Sequence, residues 1–404
     1  MDNRRNPRPI RTFNASDSIN KMIKLLKEWF KKFIVIGKNP IDLPLVYVIL
    51  ILLLVGISAL FSGSAVTAHK LTEDPYFFLK KQAVWLGVSF TFFLIFANVP
   101  YRIFQHYAVY LIVLSIILLI LVFIPGLSKT VKTQSGRNFH RWIGFGPLQI
   151  QPSEFCKIAV LIYLSAFFVK LNHIHEKTAK TYLIPGAALG IILVLIMLEP
   201  ALGTTLQITS MILALIFLNG FPVKKLVLGF LSATPLILFL IYRVGYWRKR
   251  IEVWLNPYSD KDGDGFQLYS SFRAFMESGW FGNQISTSHS HRSLPYNHTD
   301  FILATFVQDY GFIGFLVLLS LFTFLIVRGF SLVRRVNEPF GFLLGSGIVL
   351  MISIQIIINL FVVTGLFPIT GISLPFMSYG GSSLLTVMIS LGILINITKK
   401  EHIT

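Results

Sequence analysis

PLVYVILILLLVGISALFSGSA occupies residues 44–65 and contains no charged side chain. A helix needs about 20 predominantly apolar residues to cross the hydrocarbon core of a bilayer, so this stretch predicts a membrane span. Nine more such stretches follow, at roughly 82–99, 107–125, 153–170, 182–198, 203–220, 225–245, 301–327, 340–364 and 378–397. The sequence therefore predicts an all-α, polytopic membrane protein with about ten transmembrane helices.

The composition indicates that most of the chain lies outside water. Hydrophobic residues make up 54% and charged residues only 13%, whereas soluble domains carry about 25% charged residues. We predict a single transmembrane domain over residues 43–398, preceded by a basic cytoplasmic region over 1–42 and followed by a short tail over 399–404. The single cysteine, Cys156, excludes an intramolecular disulfide and a cysteine-based zinc site.

The formal net charge of +18 invites a nucleic-acid interpretation, but no soluble domain is predicted to carry one. With the N-terminus inside, the cytoplasmic segments hold 21 Lys and Arg residues and the short outer segments hold seven. Positive charge accumulates on the cytoplasmic side, so both termini are predicted to lie there. Within residues 17–37, apolar and basic residues alternate at helical spacing. This pattern predicts an amphipathic helix for the membrane surface or, alternatively, for a cytoplasmic partner.

This topology places three segments on the outer face, over residues 126–152, 246–300 and 366–377. The second is one long extracytoplasmic loop, and loops of this length usually carry function. It contains Asp260, Asp262 and Asp264 in a turn-rich stretch. Three interpretations stay open from the residues alone: a solvated polar loop, a divalent-cation site, or a general base. A true EF-hand loop is disfavoured because Ser271 stands where the closing Glu is required.

Ionisable residues near the predicted membrane boundaries are candidates for function. Glu154 and Lys157 are three residues apart, so they meet on one helical face and can form an ion pair, structural or functional. Arg141 and Trp142 precede them as a cation and an aromatic side chain at the outer interface. Asp300 marks the end of the long loop, which also carries the weak metal-site pattern of His289 and His291. The Gly- and Ser-rich stretch 371–383 suits either close helix packing or an anion held by backbone amides.

Four motifs together resemble the FtsW/RodA/SpoVE (SEDS) family of peptidoglycan glycosyltransferases. The most specific is NLFVVTGLFPITGISLPFMSYGGSS over residues 359–383. RWI at 141–143 followed by QPSEFCK at 151–157 is the second, and HTDF at 298–301 is another. The remaining motif runs from Arg250 through Asn256 and Asp260 to Gln267. The resemblance spans roughly residues 44–397.

The resemblance implies an enzyme of the bacterial cytoplasmic membrane that polymerises lipid II, the undecaprenyl-diphosphate-linked disaccharide peptide, into glycan strands at the outer face. It implies that Asp260 is the general base, and that Arg250 and Lys157 offset the charge of the leaving diphosphate. Its implied partners are a class B penicillin-binding protein and other division or elongation proteins. No cofactor is certain, although a divalent cation, Mg or Mn, is compatible, and no metal ligand is assigned. The expected substrate-binding residues are Arg141, Trp142, Ser153, Glu154, Lys157, Arg250, His298, Thr299, Asp300, Ser378 and Gly380.

The sequence also departs from the family pattern. Ala201 stands where the family often has an acidic residue, Lys261 replaces a usual proline, and Gln308-Asp309 replaces an acidic pair. Two other functions remain open: a flippase for the lipid-linked precursor, and a non-catalytic scaffold for the division or elongation machinery. The few intramembrane charges away from the outer face favour the enzyme over the flippase. The long N-terminal region favours an FtsW-like division protein.

Overall fold

A computed structural model describes residues 41–124, 126–132, 138–145, 148–172, 174, 178–243, 245–259, 263, 265–282 and 299–400. The amphipathic helix predicted over residues 17–37 lies outside this described part. Within it, the helices are α1 (Leu43–Thr72), α2 (Phe77–Asn98), α3 (Arg102–Leu121), α4 (Pro152–Asn172), α5 (Ala179–Leu198), α6 (Leu202–Leu218), α7 (Val223–Arg243), α8 (Gly245–Leu255), α9 (Phe266–Glu277), α10 (Ile302–Val333), α11 (Pro339–Val363) and α12 (Gly381–Lys400).

Each of the ten predicted apolar segments coincides with one of these helices. Seven of them, α1, α2, α3, α5, α10, α11 and α12, are long and apolar enough to cross a membrane, and α6 is a shorter apolar helix. The prediction of an all-α, polytopic membrane protein is thus confirmed. The count of ten crossings and the side on which each loop lies stay predictions.

The predicted outer segment 126–152 contains a small sheet that the sequence reasoning missed. Three antiparallel strands pair in the order β1 (Ser128–Lys132), β2 (Asn138–Phe145) and β3 (Leu148–Ile150). Ser128 and Ile150 both pair with Ile143 in the central strand. β2 contains Phe139, Trp142, Ile143 and Phe145, which are residue types enriched in strands. The long loop over 246–300 likewise contains two helices, α8 and α9, that were not predicted.

The helices form a bundle with α11 and α12 near its centre. Most of the apolar window of each of these two helices is buried, whereas α2, α3 and α5 expose most of theirs. Exposed apolar side chains are expected on helices that face lipid. The residues between and around α11 and α12 are therefore the part of the bundle that can hold a polar site away from lipid.

A kink divides α10 in its N-terminal third. Gly311 has a φ of 69° and a ψ of −168°, a conformation open to glycine and costly for other residues. The kink frees two backbone amides of α10. Phe312 N–H donates to the Gly279 carbonyl over 3.0 Å, and Ile313 N–H donates to the Trp280 carbonyl over 3.1 Å. The chain leaving α9 is therefore fastened to the backbone of a membrane helix.

Candidate functional site

The stretch of residues 364–380 connects α11 to α12 without regular structure, and side chains from the long outer loop hold it. Trp254 Nε1 donates to the Gly365 carbonyl over 2.8 Å, and the guanidinium of Arg250 donates to the Ile369 carbonyl. Ser271 Oγ donates to the Val363 carbonyl at the end of α11 over 2.7 Å. We call residues 364–380 the connecting segment. Helix α8 is docked on it, and α9 is docked on the end of α11 directly before it.

Two glycines allow helices to approach the connecting segment very closely. A Cβ atom on Gly56 of α1 would lie 2.2 Å from the Phe376 carbonyl oxygen. A Cβ atom on Gly203 of α6 would lie 2.6 Å from the Thr370 carbonyl oxygen. These distances leave no room for any larger residue. The glycine of the Leu202-Gly203-Thr204 motif therefore has a packing role.

The predicted residues Thr299 and Asp300 lie at this same place. Asn359 of α11 donates from Nδ2 to the Asp300 carbonyl and to the Ile372 carbonyl, both over 2.8 Å. Thr299 Oγ1 donates to Asp300 Oδ1 over 2.7 Å. One amide side chain thus binds the end of the long loop to the connecting segment, and the role of Asn359 was not foreseen from the sequence.

The ion pair expected from the spacing of Glu154 and Lys157 is present in the first turns of α4. Lys157 Nζ lies 2.7 Å from Glu154 Oε2, and the two side chains are 1% and 10% exposed. Such a pair, taken out of water, is costly unless further hydrogen bonds satisfy its remaining polar atoms. Lys157 has such a partner: Nζ also donates to Gln207 Oε1 of α6 over 3.2 Å.

A chain of hydrogen bonds continues from Lys157 to the connecting segment. Gln207 Nε2 donates to Gln355 Oε1 of α11 over 3.2 Å and to the Met351 carbonyl over 3.3 Å. Gln355 Nε2 in turn donates to the Ser373 carbonyl over 2.9 Å and lies 3.3 Å from Ser383 Oγ. Nothing in the sequence marked Gln207 or Gln355, because each is one polar residue in an apolar helix.

The start of α12 is fixed beside the start of α4. Ser382 Oγ accepts from the Gln151 N–H over 3.0 Å and lies 3.3 Å from the Gln149 carbonyl. Ser378, a predicted substrate-binding residue, uses its Oγ to accept from the Leu374 N–H over 2.8 Å, so it shapes the connecting segment. Predicted Gly380 directly precedes α12 and is partly exposed. Predicted Ser153 is fully buried in the first turn of α4.

Three helix N-termini therefore meet around the buried ion pair. Helices α4, α6 and α12 begin at Pro152, Leu202 and Gly381, and the Ser382 and Gln207 contacts tie them together. A helix N-terminus carries a partial positive charge and free amide donors, which favour bound anions. These helix ends therefore favour a phosphate or diphosphate group at this end of the bundle, and the Lys157 ammonium, whose charge Glu154 balances, lies beside them.

Arg141 holds the outer turn between α5 and α6. Its Nε donates to the Glu199 carbonyl over 2.9 Å and its Nη2 to the Pro200 carbonyl over 2.6 Å. Trp142, the next residue of β2, is half-buried. The structure therefore places Arg141 against this hairpin through two backbone contacts.

Glu199 is a buried acid that the sequence reasoning did not single out. It is 1% exposed, and neither carboxyl oxygen has a hydrogen-bond partner among the described residues. Burial raises the pKa of this carboxyl to about 8, against the opposing attraction of the Arg141 guanidinium. Ala201, where the family often has its acidic residue, is buried two positions away.

Several predicted residues lie outside the described part of the chain, namely Asp260, Asp262, Asp264, His289, His291 and His298. The divalent-cation hypothesis for the aspartate cluster therefore also lies outside the described residues and stays a prediction. In the part of the chain that the structure describes, no group of three or more His, Cys, Asp or Glu side chains is placed to hold a metal ion.

Comparison with known proteins gives consistent matches over nearly the whole chain. Residues 43–403 match the family model FtsW/RodA/SpoVE, described as "Cell cycle protein". A probable peptidoglycan glycosyltransferase FtsW of Geobacter sulfurreducens is 34% identical over 89% of this chain and 95% of its own length. Stage V sporulation protein E of Bacillus subtilis is 36% identical over 90% of this chain and 98% of its own length.

Solved structures match as well. A chain from "Structural coordination of polymerization and crosslinking by a peptidoglycan synthase complex" is similar with a TM-score of 0.74 and 26% identity, covering 90% of this chain and 99% of that one. The Thermus thermophilus rod shape determining protein RodA shares the fold with a TM-score of 0.65 at 24% identity, over 90% of this chain and 98% of its own.

Proposed function

Because this chain belongs to the FtsW/RodA/SpoVE family of cell cycle proteins, we propose that it joins lipid II units into glycan strands at the outer face of the membrane. It is a multi-pass protein of the bacterial cytoplasmic membrane and a peptidoglycan glycosyltransferase, like the relatives that carry that name. The proposal covers the substrate, lipid II, together with the residues that act on it and the partner proteins.

The observation that carries the proposal is the buried Glu154–Lys157 pair among the starts of α4, α6 and α12. Lipid II presents a diphosphate at the membrane surface, and the reaction releases that diphosphate on its isoprenoid. A fixed cation and three helix N-termini stabilise the negative charge that develops on the leaving oxygen. Arg250 adds a guanidinium at the Ile369 carbonyl of the connecting segment.

In the proposed reaction, Asp260 acts as general base. It takes the proton from the hydroxyl of the acceptor sugar, and the hydroxyl oxygen attacks the anomeric carbon of the donor. The new glycosidic bond forms as the bond from that carbon to the diphosphate oxygen breaks. The proton stays on Asp260 and undecaprenyl diphosphate leaves.

The helices that flank Asp260 in the sequence support its role indirectly. Trp254 docks α8 on the connecting segment, and Ser271 docks α9 on the end of α11 directly before that segment. We propose that Lys157, Arg250 and the helix ends neutralise the charge of the diphosphate.

The buried polar chain favours the polymerase over the flippase. A flippase needs a polar path that crosses the whole bilayer. Lys157, Gln207 and Gln355 all lie in the half of their helices nearest the predicted outer face. Among the described residues this chain ends at the connecting segment, on the same side on which it begins.

We further propose that the enzyme works with a class B penicillin-binding protein and with other division or elongation proteins, as an FtsW-like division member. A structural relative comes from a complex that coordinates polymerization and crosslinking, which supports a transpeptidase partner. The relatives include both FtsW proteins and a sporulation protein, so the cellular stage is open to test by the division phenotype of a depletion strain.

The central experiment measures polymerisation of lipid II by the purified protein with its cognate class B penicillin-binding protein. We expect glycan strands from the wild type and none from Asp260→Asn. The matched control is Glu277→Gln, which neutralises an exposed carboxylate of α9 that pairs with Arg273, and it should keep full activity. Polymerisation by a folded Asp260→Asn protein would remove the general base. Lipid translocation by wild-type vesicles without any polymerisation would establish the flippase instead.

A further inference from the structure

The two glutamines that connect Lys157 to the connecting segment form a chain with a single possible direction. A lysine ammonium carries only donors, so Gln207 must face it with the amide oxygen. Its amide nitrogen is then turned towards α11, where it meets Gln355 Oε1 and the Met351 carbonyl. Gln355 is oriented in the same way, with its nitrogen towards Ser373.

Every member of this chain is deeply buried. Lys157, Gln207 and Gln355 are each at most 1% exposed. In such surroundings a hydrogen bond is stronger than in water, and an unpaired polar atom is costly. The Lys157 ammonium thus joins α4 to α6 through Gln207, and Gln207 joins both to α11 through Gln355.

The far end of the chain lies at the connecting segment. Gln355 Nε2 binds the Ser373 carbonyl, and Ser373 Oγ lies 2.8 Å from Ser383 Oγ in the first turn of α12. The position of the ammonium is therefore set jointly by Glu154 and by the connecting segment, which Ser373 joins to the first turn of α12.

We propose that Gln207 and Gln355 are positioning residues that hold the Lys157 ammonium in place for the diphosphate leaving group of the donor lipid. The inference rests on the proposed function. Neither glutamine needs to touch the substrate. They keep the cation from turning wholly towards Glu154, and they couple its position to the connecting segment on which α8 is docked.

The test uses Gln207→Met and Gln355→Met, which keep side-chain length and volume and remove only the polar atoms. In the complex with the class B penicillin-binding protein, kcat for lipid II polymerisation should fall about tenfold or more in each. KM should stay within about twofold, because the positioned charge acts mainly on the transition state. Gln82→Met is the matched control: Gln82 is a buried glutamine of α2 outside this chain, and its replacement should leave kcat unchanged.

The double variant gives the sharpest readout. If both glutamines act through one ammonium, Gln207→Met with Gln355→Met should be no slower than the slower single variant. Independent structural effects would multiply instead. Gln207→Glu keeps an acceptor for Lys157 but cannot donate to Gln355, so its kcat should also fall at least tenfold, and it carries the test if the methionine variants do not fold.

Three results would overturn the inference: a wild-type kcat in folded Gln207→Met or Gln207→Glu, a multiplicative loss in the double variant, or an equal loss in Gln82→Met. The failure of the proposed function looks different. In that case the wild type itself makes no glycan. The wild type could also polymerise lipid II while Lys157→Met does not and the glutamine variants keep the wild-type rate. That result would overturn only the positioning role of the glutamines.

Discussion

The most informative perturbation of this protein removes the buried cation and then its partner. Lys157→Met leaves the Glu154 carboxylate buried, with a side chain only 10% exposed and no counter-ion. Breaking a buried pair from one side typically costs about 3–5 kcal/mol, because an uncompensated charge remains. Gln207 Oε1 also loses its donor, which adds about 1–3 kcal/mol. We expect a strongly lowered thermal midpoint in detergent.

The second step separates stability from chemistry. Adding Glu154→Gln removes the orphaned charge, and replacing both members of a buried pair by neutral residues of similar size is often close to neutral. The thermal midpoint of the double variant should therefore return most of the way to the wild-type value. Polymerisation should stay at least about a hundredfold below wild type, the loss expected when one fixed charge-stabilising group is removed.

The assays are size-exclusion chromatography after heating, for unfolding, and gel analysis of glycan strands made from lipid II. Arg248→Met is the control, because the Arg248–Glu252 pair is 57% exposed on both sides and such exposed pairs add little to stability. A double variant that folds and polymerises at the wild-type rate would refute the reasoning, since Lys157 would then be structural only.

Two further predictions concern the hairpin between α5 and α6. Gly203→Ala places a Cβ within 2.6 Å of the Thr370 carbonyl oxygen. It should therefore lower the unfolding free energy by about 1–3 kcal/mol and slow polymerisation. Gly87→Ala is the control, because Gly87 has open space around it and its replacement should do neither. For Glu199, burial raises the pKa to about 8 from 4.5, so the folded state binds more protons than the unfolded state between these values. The unfolding free energy of the protein should therefore fall by roughly 2 kcal/mol as pH rises from about 6 to 8. Glu199→Gln should remove this decline from the profile of thermal midpoint against pH. A variant with the wild-type profile would contradict a buried carboxyl with a raised pKa.

The sequence was most informative where one physical constraint dominates. The thickness of the bilayer requires long apolar helices, so all ten predicted segments coincide with helices. The Glu154–Lys157 pair was predictable because three-residue spacing on a helix is a local rule. Both inferences need only neighbouring residues.

The parts that the sequence did not reveal depend on contacts between distant residues. Lys157 and Gln207 are 50 positions apart, and Gln207 and Gln355 are 148 apart. No local pattern joins an isolated glutamine in one span to another span. The strands over 128–150 were missed for a related reason, because their pairing follows from the fold around them and the stretch was treated only as an outer loop.

Arg141 illustrates the same limit at the level of a single side chain. The family resemblance implied that Arg141 binds the substrate. The structure shows Nε and Nη2 bound to the carbonyls of Glu199 and Pro200. The residue type did not show which acceptors its planar guanidinium reaches, because those acceptors lie 58 and 59 positions away in the sequence.

The kink in α10 has a mechanical consequence. The carbonyls of Gly279 and Trp280 accept from the amides of Phe312 and Ile313, directly after Gly311. Nearby, Ser62 of α1 donates to Asp309 over 2.6 Å. If residues 279–282 moved away, those amides would lose their hydrogen-bond acceptors in apolar surroundings. A displacement of this segment is therefore expected to shift α10 and, through the Ser62 contact, α1. A crosslinking enzyme that bound this segment could thereby change the conformation of the helix bundle.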